Sequence, residues 1–242
     1  MLVCWQKKND IKGGNVGKQK ELVAYHEAGH AIVGALVPDY DQVQKISIIP
    51  RSNGAGGLTF FAPQESRLES GLYSKQYLES QLAVALGGRL AEELAYGQDM
   101  VTTGASNDIQ QVASIAKRMV KEWGMSDKVG RVVLSDQSGG GSFMGQMMLP
   151  RTPQWGNKLL GAVEEEVERL VNNSYLIAKQ ILIDNKELLE HVTGVLIDQE
   201  AVSAEEFQMM LVQFNAQTID YKIIGDERNR EHLPFQALPL KV

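Results

Sequence analysis

The chain of 242 residues contains a single cysteine, Cys4. One cysteine allows no disulfide within the chain and removes cysteine ligation as the main scheme for any metal. A reducing compartment is therefore compatible with it. No apolar run approaches the ~20 residues that span a bilayer. The opening stretch Met1-Leu2-Val3-Cys4-Trp5-Gln6-Lys7-Lys8 has neither the apolar core of a secretory signal nor the Arg- and Ser-rich character of a transit peptide. Any membrane anchor is thus expected outside this chain. Positive charge is also in deficit, with 24 Lys and Arg against 30 Asp and Glu and a net charge of −6. That balance argues against nucleic acid as a bulk electrostatic partner. A hydrophobic content of 43% is ordinary for a globular core, and the length suits one large domain or two small ones.

Histidine is scarce too, at four residues, and two of them fall in His26-Glu27-Ala28-Gly29-His30. On a helix, residues i and i+4 share a face, so both imidazoles can reach one metal ion. Glu27 then lies about 100° round the helix, within reach of a water on that metal. Two His ligands and a Glu that takes a proton from such a water form the zinc hydrolase arrangement. The surroundings read as a buried helix: Leu22, Val23, Tyr25, Ala28, Ile32, Val33 and Leu36 frame the motif, and Pro38 and Asp39 stop it. Burying His, Glu and His together is costly without partners, and a metal removes that cost. Gly29 inside a helix loses about 1 kcal/mol against Ala, so a close approach to the backbone is expected there.

Residues 1–18 read as a polar linker or mobile end. The zinc-binding half of the chain covers 19–137, with the motif helix at 19–37. Val43, Ile46, Ile48 and Ile49 predict a strand ending at Pro50, and Leu58-Thr59-Phe60-Phe61 a second, so 43–62 reads as a hairpin around a Gly-rich turn at 51–57. Ser74 to Tyr96 is a Leu- and Ala-rich helix closed by Gly97. Residues 98–105 read as a loop. Another helix starts at Ser106 or Asn107 and runs to Trp123, with Gly124 at its stop. Residues 138–156 form a Gly- and Pro-rich loop and a candidate boundary. The helical half, 157–214, carries apolar residues at helical spacing over Leu159–Ile183 and Leu188–Ile197. Its last helix, 204–214, opens on the capping box Ser203-Ala204-Glu205-Glu206, with Val202 and Phe207 as a hydrophobic staple. The tail, 215–242, shows no period, and the chain has no repeats.

A catalytic zinc needs three protein ligands and one open position. The remaining histidines, His191 in an amphipathic helix and His232 in the tail, are weak choices. Asp108 sits in the first turn of a helix, where exposed N–H groups favour a carboxylate. Glu92 and Glu93, on a helix of small and apolar residues, compete with it. A Glu there can ligate zinc or orient a ligating histidine from behind. Spacing alone does not choose between Asp108 and Glu92.

Five segments in order resemble the protease domain of the FtsH family of membrane-anchored, ATP-dependent zinc proteases. They are Leu22-Val23-Ala24-Tyr25-His26-Glu27-Ala28-Gly29-His30-Ala31, Lys45-Ile46-Ser47-Ile48-Ile49-Pro50-Arg51, Gly57-Leu58-Thr59-Phe60, Leu86-Gly87-Gly88-Arg89-Leu90-Ala91-Glu92-Glu93 and Thr103-Gly104-Ala105-Ser106-Asn107-Asp108. The resemblance covers residues 20–212. Pro38-Asp39-Tyr40-Asp41 and the segments 58–63 and 67–73 look most like the chloroplast and cyanobacterial branch.

The resemblance implies a mainly α (α+β) fold, a helical metalloprotease domain with a small β-hairpin or sheet next to the zinc-binding helix. It implies one zinc on His26, His30 and Asp108, Glu27 as catalytic base, and Glu92 behind the ligands. It also implies an extended substrate laid along the strand Gly57, Leu58, Thr59 and Phe60. The expected function is a zinc-dependent endopeptidase acting on unfolded or damaged polypeptides within a homo- or hetero-hexamer. The expected place is the stromal face of the chloroplast thylakoid membrane, or otherwise the cytoplasmic side of a membrane. The alternative is a non-catalytic assembly subunit, which would be expected to lose Glu27 or a ligand. No Gly-x-x-x-x-Gly-Lys-Ser/Thr occurs, so ATP acts only through an ATPase domain that this chain does not contain. The chain is accordingly expected to be either a fragment or a natural protease-only version.

Overall fold

A computed structural model describes residues 14–50, 56–134 and 156–218. The turn at 51–55, the Gly-rich stretch at 138–145 and His232 lie outside the described residues. Seven helices and a three-stranded sheet fill the described part. The first helix, α1, spans Gly14–Leu36 and runs through the middle of the core, with Ala24, Ala28, Ala31, Ile32 and Val33 fully buried. It ends before Pro38, and Asp39 turns the chain at φ 54°.

Next come β1, Gln42–Ser47, and β2, Leu58–Ala62, paired antiparallel. The register slips between Val43 and Lys45. That bulge is legible in the burial: Val43 and Ile46 are both buried although three apart, and an extra residue is what brings them to one face. A third strand, β3 at Ala201–Ser203, pairs antiparallel with the other side of β1. The order is β2-β1-β3, so among the described residues β2 keeps a free edge. Neither β3 nor the short helix α2, Glu65–Ser70, is expected from the sequence, because three and six residues are too few to display a period. A side chain fixes α2 instead: buried Arg67 donates to Asp41 at 2.6 Å and to Asp39, and its guanidinium lies 4.4 Å from the Tyr77 ring centre.

The long helix α3, Lys75–Tyr96, is capped by Ser74, whose side chain accepts from the Tyr77 N–H, and closes on Gly97 at φ 91°. It crosses α1 at Gly29 and Gly87, where a Cβ on Gly29 would collide with the Gly87 carbonyl oxygen. The close approach expected at Gly29 is therefore a helix crossing. Two 3-10 turns, Gln98–Met100 and Thr103–Ala105, occupy the stretch read as loop and lead into α4, Ser106–Lys121. Helix α4 ends two residues short of Trp123, and Gly124 takes φ 60° beyond it. Then α5, Asn157–Asp184, and α6, Lys186–Gln199, pack on α3 and α1 and share one apolar core with them. The last helix, α7, Ala204–Gln213, carries the expected capping box, with Val202 and Phe207 buried beside it.

Candidate metal centre

The site forms where α1, α3, β2 and the start of α4 meet, around a cavity of about 650 Å³. His26 and His30 lie one turn apart on α1, and their Nε2 atoms face each other at 3.0 Å. Their other nitrogens are both taken. His26 Nδ1 is 2.7 Å from Glu92 Oε1, and His30 Nδ1 is 2.7 Å from the Val84 carbonyl oxygen. A carboxylate and a carbonyl can only accept, so each Nδ1 carries the proton and, in the neutral ring, each Nε2 presents a lone pair. Asp108, in the first turn of α4, brings Oδ2 to 3.2 Å from His26 Nε2 and 3.6 Å from His30 Nε2.

Three electron-pair donors thus converge with no donor hydrogen of their own between them. Such a set repels itself unless a cation sits within it. Zinc fits: bonds of about 2.0–2.1 Å in a tetrahedron place ligand atoms about 3.3 Å apart, and the separations here are 3.0, 3.2 and 3.6 Å. Among the described residues these three form the one group arranged to hold a metal ion. The electrostatics agree. Burial opposes a charge on His26, but hydrogen bonds to Asp108 and Glu92 and the nearby Glu27 carboxylate outweigh it and push the imidazole up to about 9. Burial also works against the Asp108 carboxylate, yet His26 and His30 hold it well below the usual range. The place demands positive charge, and without a metal a proton on His26 supplies it.

Asp108 and Glu92 approach His26 from opposite ends of the ring. Glu92, buried on α3, spends Oε1 on His26 and takes hydrogen bonds at Oε2 from the Thr102 N–H and hydroxyl, at 3.3 and 3.1 Å. Burial works against its charge, but the bonds to His26 and Thr102 outweigh that and hold the carboxyl below its usual range. Glu92 thereby ties the ligand helix to the turn that delivers Asp108. Glu93 points elsewhere, to the Tyr175 hydroxyl at 2.8 Å and Lys179 at 3.3 Å on α5. His191 is exposed on α6 and contacts Phe214. Glu27 lines the cavity together with Gly57 and Thr59 of the β2 segment.

Sequence reasoning passed over Gly88. A Cβ at this position would stand 2.6 Å from both Nε2 atoms, so a side chain here pushes both imidazoles out of place. The signal was present as a second consecutive glycine inside a helix. Gly88→Ala is expected to abolish zinc binding while the metal-free protein still folds, because the clash falls on the ends of two side chains and not on backbone. Elemental analysis paired with thermal unfolding in chelator reads both halves. Full zinc content in the variant would show that the metal lies elsewhere.

Peptidase family M41 matches residues 16–210 of the chain. The chain is 53% identical over 211 residues to the ATP-dependent zinc metalloprotease FtsH 3 of Synechocystis, an alignment covering 87% of this chain and 33% of that protein. It is 50% identical over 200 residues to the chloroplastic ATP-dependent zinc metalloprotease FTSH 5 of Arabidopsis thaliana, covering 83% and 28%. Against the chloroplastic protein of Nicotiana tabacum it is 49% identical over 212 residues, covering 88% and 29%. The chain therefore spans about a third of the length of the curated relatives it matches. Every group that faces the cavity around the two histidines falls inside the matched region, and the chain belongs to peptidase family M41.

Proposed function

We propose that the chain is the proteolytic domain of an FtsH-like, zinc-dependent endopeptidase, with His26, His30 and Asp108 as ligands and Glu27 as general base. The observation that carries this reading is the convergence of three lone-pair donors beside a carboxylate and a free strand edge in one cavity. Bound zinc supplies a Lewis acid that polarises the scissile carbonyl and acidifies water. The chain's own residues do the rest. His26 and His30 are locked in one tautomer by Glu92 and the Val84 carbonyl. Glu27 takes a proton from the attacking water and passes it to the leaving amine. The outer edge of β2 offers backbone hydrogen bonds to an extended chain, which requires a substrate that is already unfolded. The non-catalytic alternative is disfavoured because Glu27 and all three ligands are present.

Unfolded or damaged polypeptides, those of membranes included, are the substrate class. Assembly of such subunits as a hexamer, with ATP acting through an ATPase domain, belongs to the same reading. Relatives named chloroplastic support a chloroplast location, and the stromal face of the thylakoid membrane is the place proposed within it. Among the described residues no helix is long and apolar enough to cross a membrane. The test is cleavage by the 242-residue chain. A loosely folded casein is expected to be cut, chelator to stop the reaction and added zinc to restore it. A tightly folded substrate is expected to survive with or without ATP. ATP-stimulated destruction of the folded substrate by this chain alone, or chelator-resistant cleavage of casein, would contradict the proposal.

A further inference from the structure

Glu27 is held by the β2 segment. Its Oε2 accepts a hydrogen bond from the Thr59 hydroxyl at 2.8 Å, and the same hydroxyl lies 3.0 Å from the Glu27 carbonyl oxygen. Among the described residues no other side chain hydrogen-bonds this carboxylate, although Glu27 is only 7% exposed. Its Oε1 lies over Gly57, where a Cβ would come within 2.6 Å. Positions 57 and 59 are two apart and face the same way in extended chain. One makes room for the carboxylate and the other donates to it.

We propose that Thr59 is a positioning residue: its hydroxyl anchors Oε2 of Glu27 so that Oε1 is presented to the attacking water. The inference rests on the reading of Glu27 as base and β2 as substrate strand. It adds that the strand receiving the substrate on its outer edge sets the base with an inward side chain. A glutamate has three rotatable bonds, and α1 fixes only its Cα. Without the hydroxyl, a nearly buried carboxylate loses its one side-chain donor and samples other rotamers. Misplacing a reacting group by about 1 Å can cost up to ~10²-fold in rate.

The pair Thr59→Val and Thr59→Ser separates this role from packing. Valine keeps the branched shape and strand preference but deletes the donor; serine keeps the donor. With a peptide substrate, T59V is expected to bind one zinc per chain, hold KM within about twofold and lose at least ~10-fold in kcat. T59S is expected to stay within about threefold of the parent. Adding T59V to Glu27→Gln is expected to change nothing further, because the group it positions is gone. Crystal structures give a readout without activity: Glu27 in one rotamer in the parent and T59S, and spread over several in T59V. Unchanged kcat in T59V, an equal loss in T59S, an additive loss in the double variant, or an unmoved Glu27 in T59V would overturn the proposal. Full activity of Glu27→Gln alone would instead remove the base assignment, and the rotamer comparison would still decide the role of Thr59.

Discussion

Replacing Glu27 by Gln is expected to cut cleavage of an unstructured protein by ~10² to 10⁴, the usual share of a general base, with one zinc still bound. Gln keeps the length of the side chain and an oxygen that can accept from Thr59 Oγ1, which reaches Oε2 at 2.8 Å in the parent. It loses the basic carboxylate. The donors proposed for the metal are Nε2 of His26 and His30 and Oδ2 of Asp108, and none belongs to residue 27, so the fold and the metal have no reason to leave. Casein proteolysis and elemental analysis on the same preparation check both statements. Undiminished cleavage with zinc in place would move the base to another residue.

The second large effect distinguishes the two carboxylates that meet His26. Asp108→Ala removes an oxygen that stands 3.2 and 3.6 Å from the two Nε2 atoms. Glu92→Gln alters a group that touches only the far nitrogen, at 2.7 Å. Losing an outer partner of a metal-bound histidine costs ~10- to 100-fold in metal affinity, so Glu92→Gln is expected to retain zinc at micromolar concentrations with reduced activity. Asp108→Ala removes the oxygen proposed as the third zinc ligand and is expected to lose more than ~100-fold and to purify largely without zinc. Competition with a coloured chelator measures both constants. The reverse order of loss would transfer the ligand role to Glu92.

What could be read in advance depended on range along the chain. The His26/His30 pair was visible because its geometry is local: one turn of one helix sets it. The long helices were visible because their apolar spacing repeats over many residues, and the Ser203–Glu206 box because capping is settled within four. Spacing did not choose between Asp108 and Glu92, which only the family resemblance separated, since the choice turns on which end of the His26 ring each carboxylate approaches. That is decided by how α3 and α4 pack on α1, with Glu92 66 residues beyond His26 in the chain. Helix α2 and strand β3 left no pattern, because a buried Arg67–Asp41 pair and three backbone partners on β1 define them. Thr59 could be placed on a strand from the run Leu58-Thr59-Phe60-Phe61, but its hydrogen bond to Glu27 exists only once β2 lies along α1.

Every role assigned to these side chains depends on where the metal sits. Diffraction from crystals of the chain grown with zinc, with an anomalous difference map at the zinc absorption edge, locates it without reference to activity. The expected result is one peak per chain within about 2.0–2.2 Å of His26 Nε2, His30 Nε2 and an Asp108 carboxylate oxygen, with Glu92 beyond bonding distance. A peak coordinated by Glu92 in place of Asp108, or an occupied zinc anywhere but between these three side chains, would contradict it.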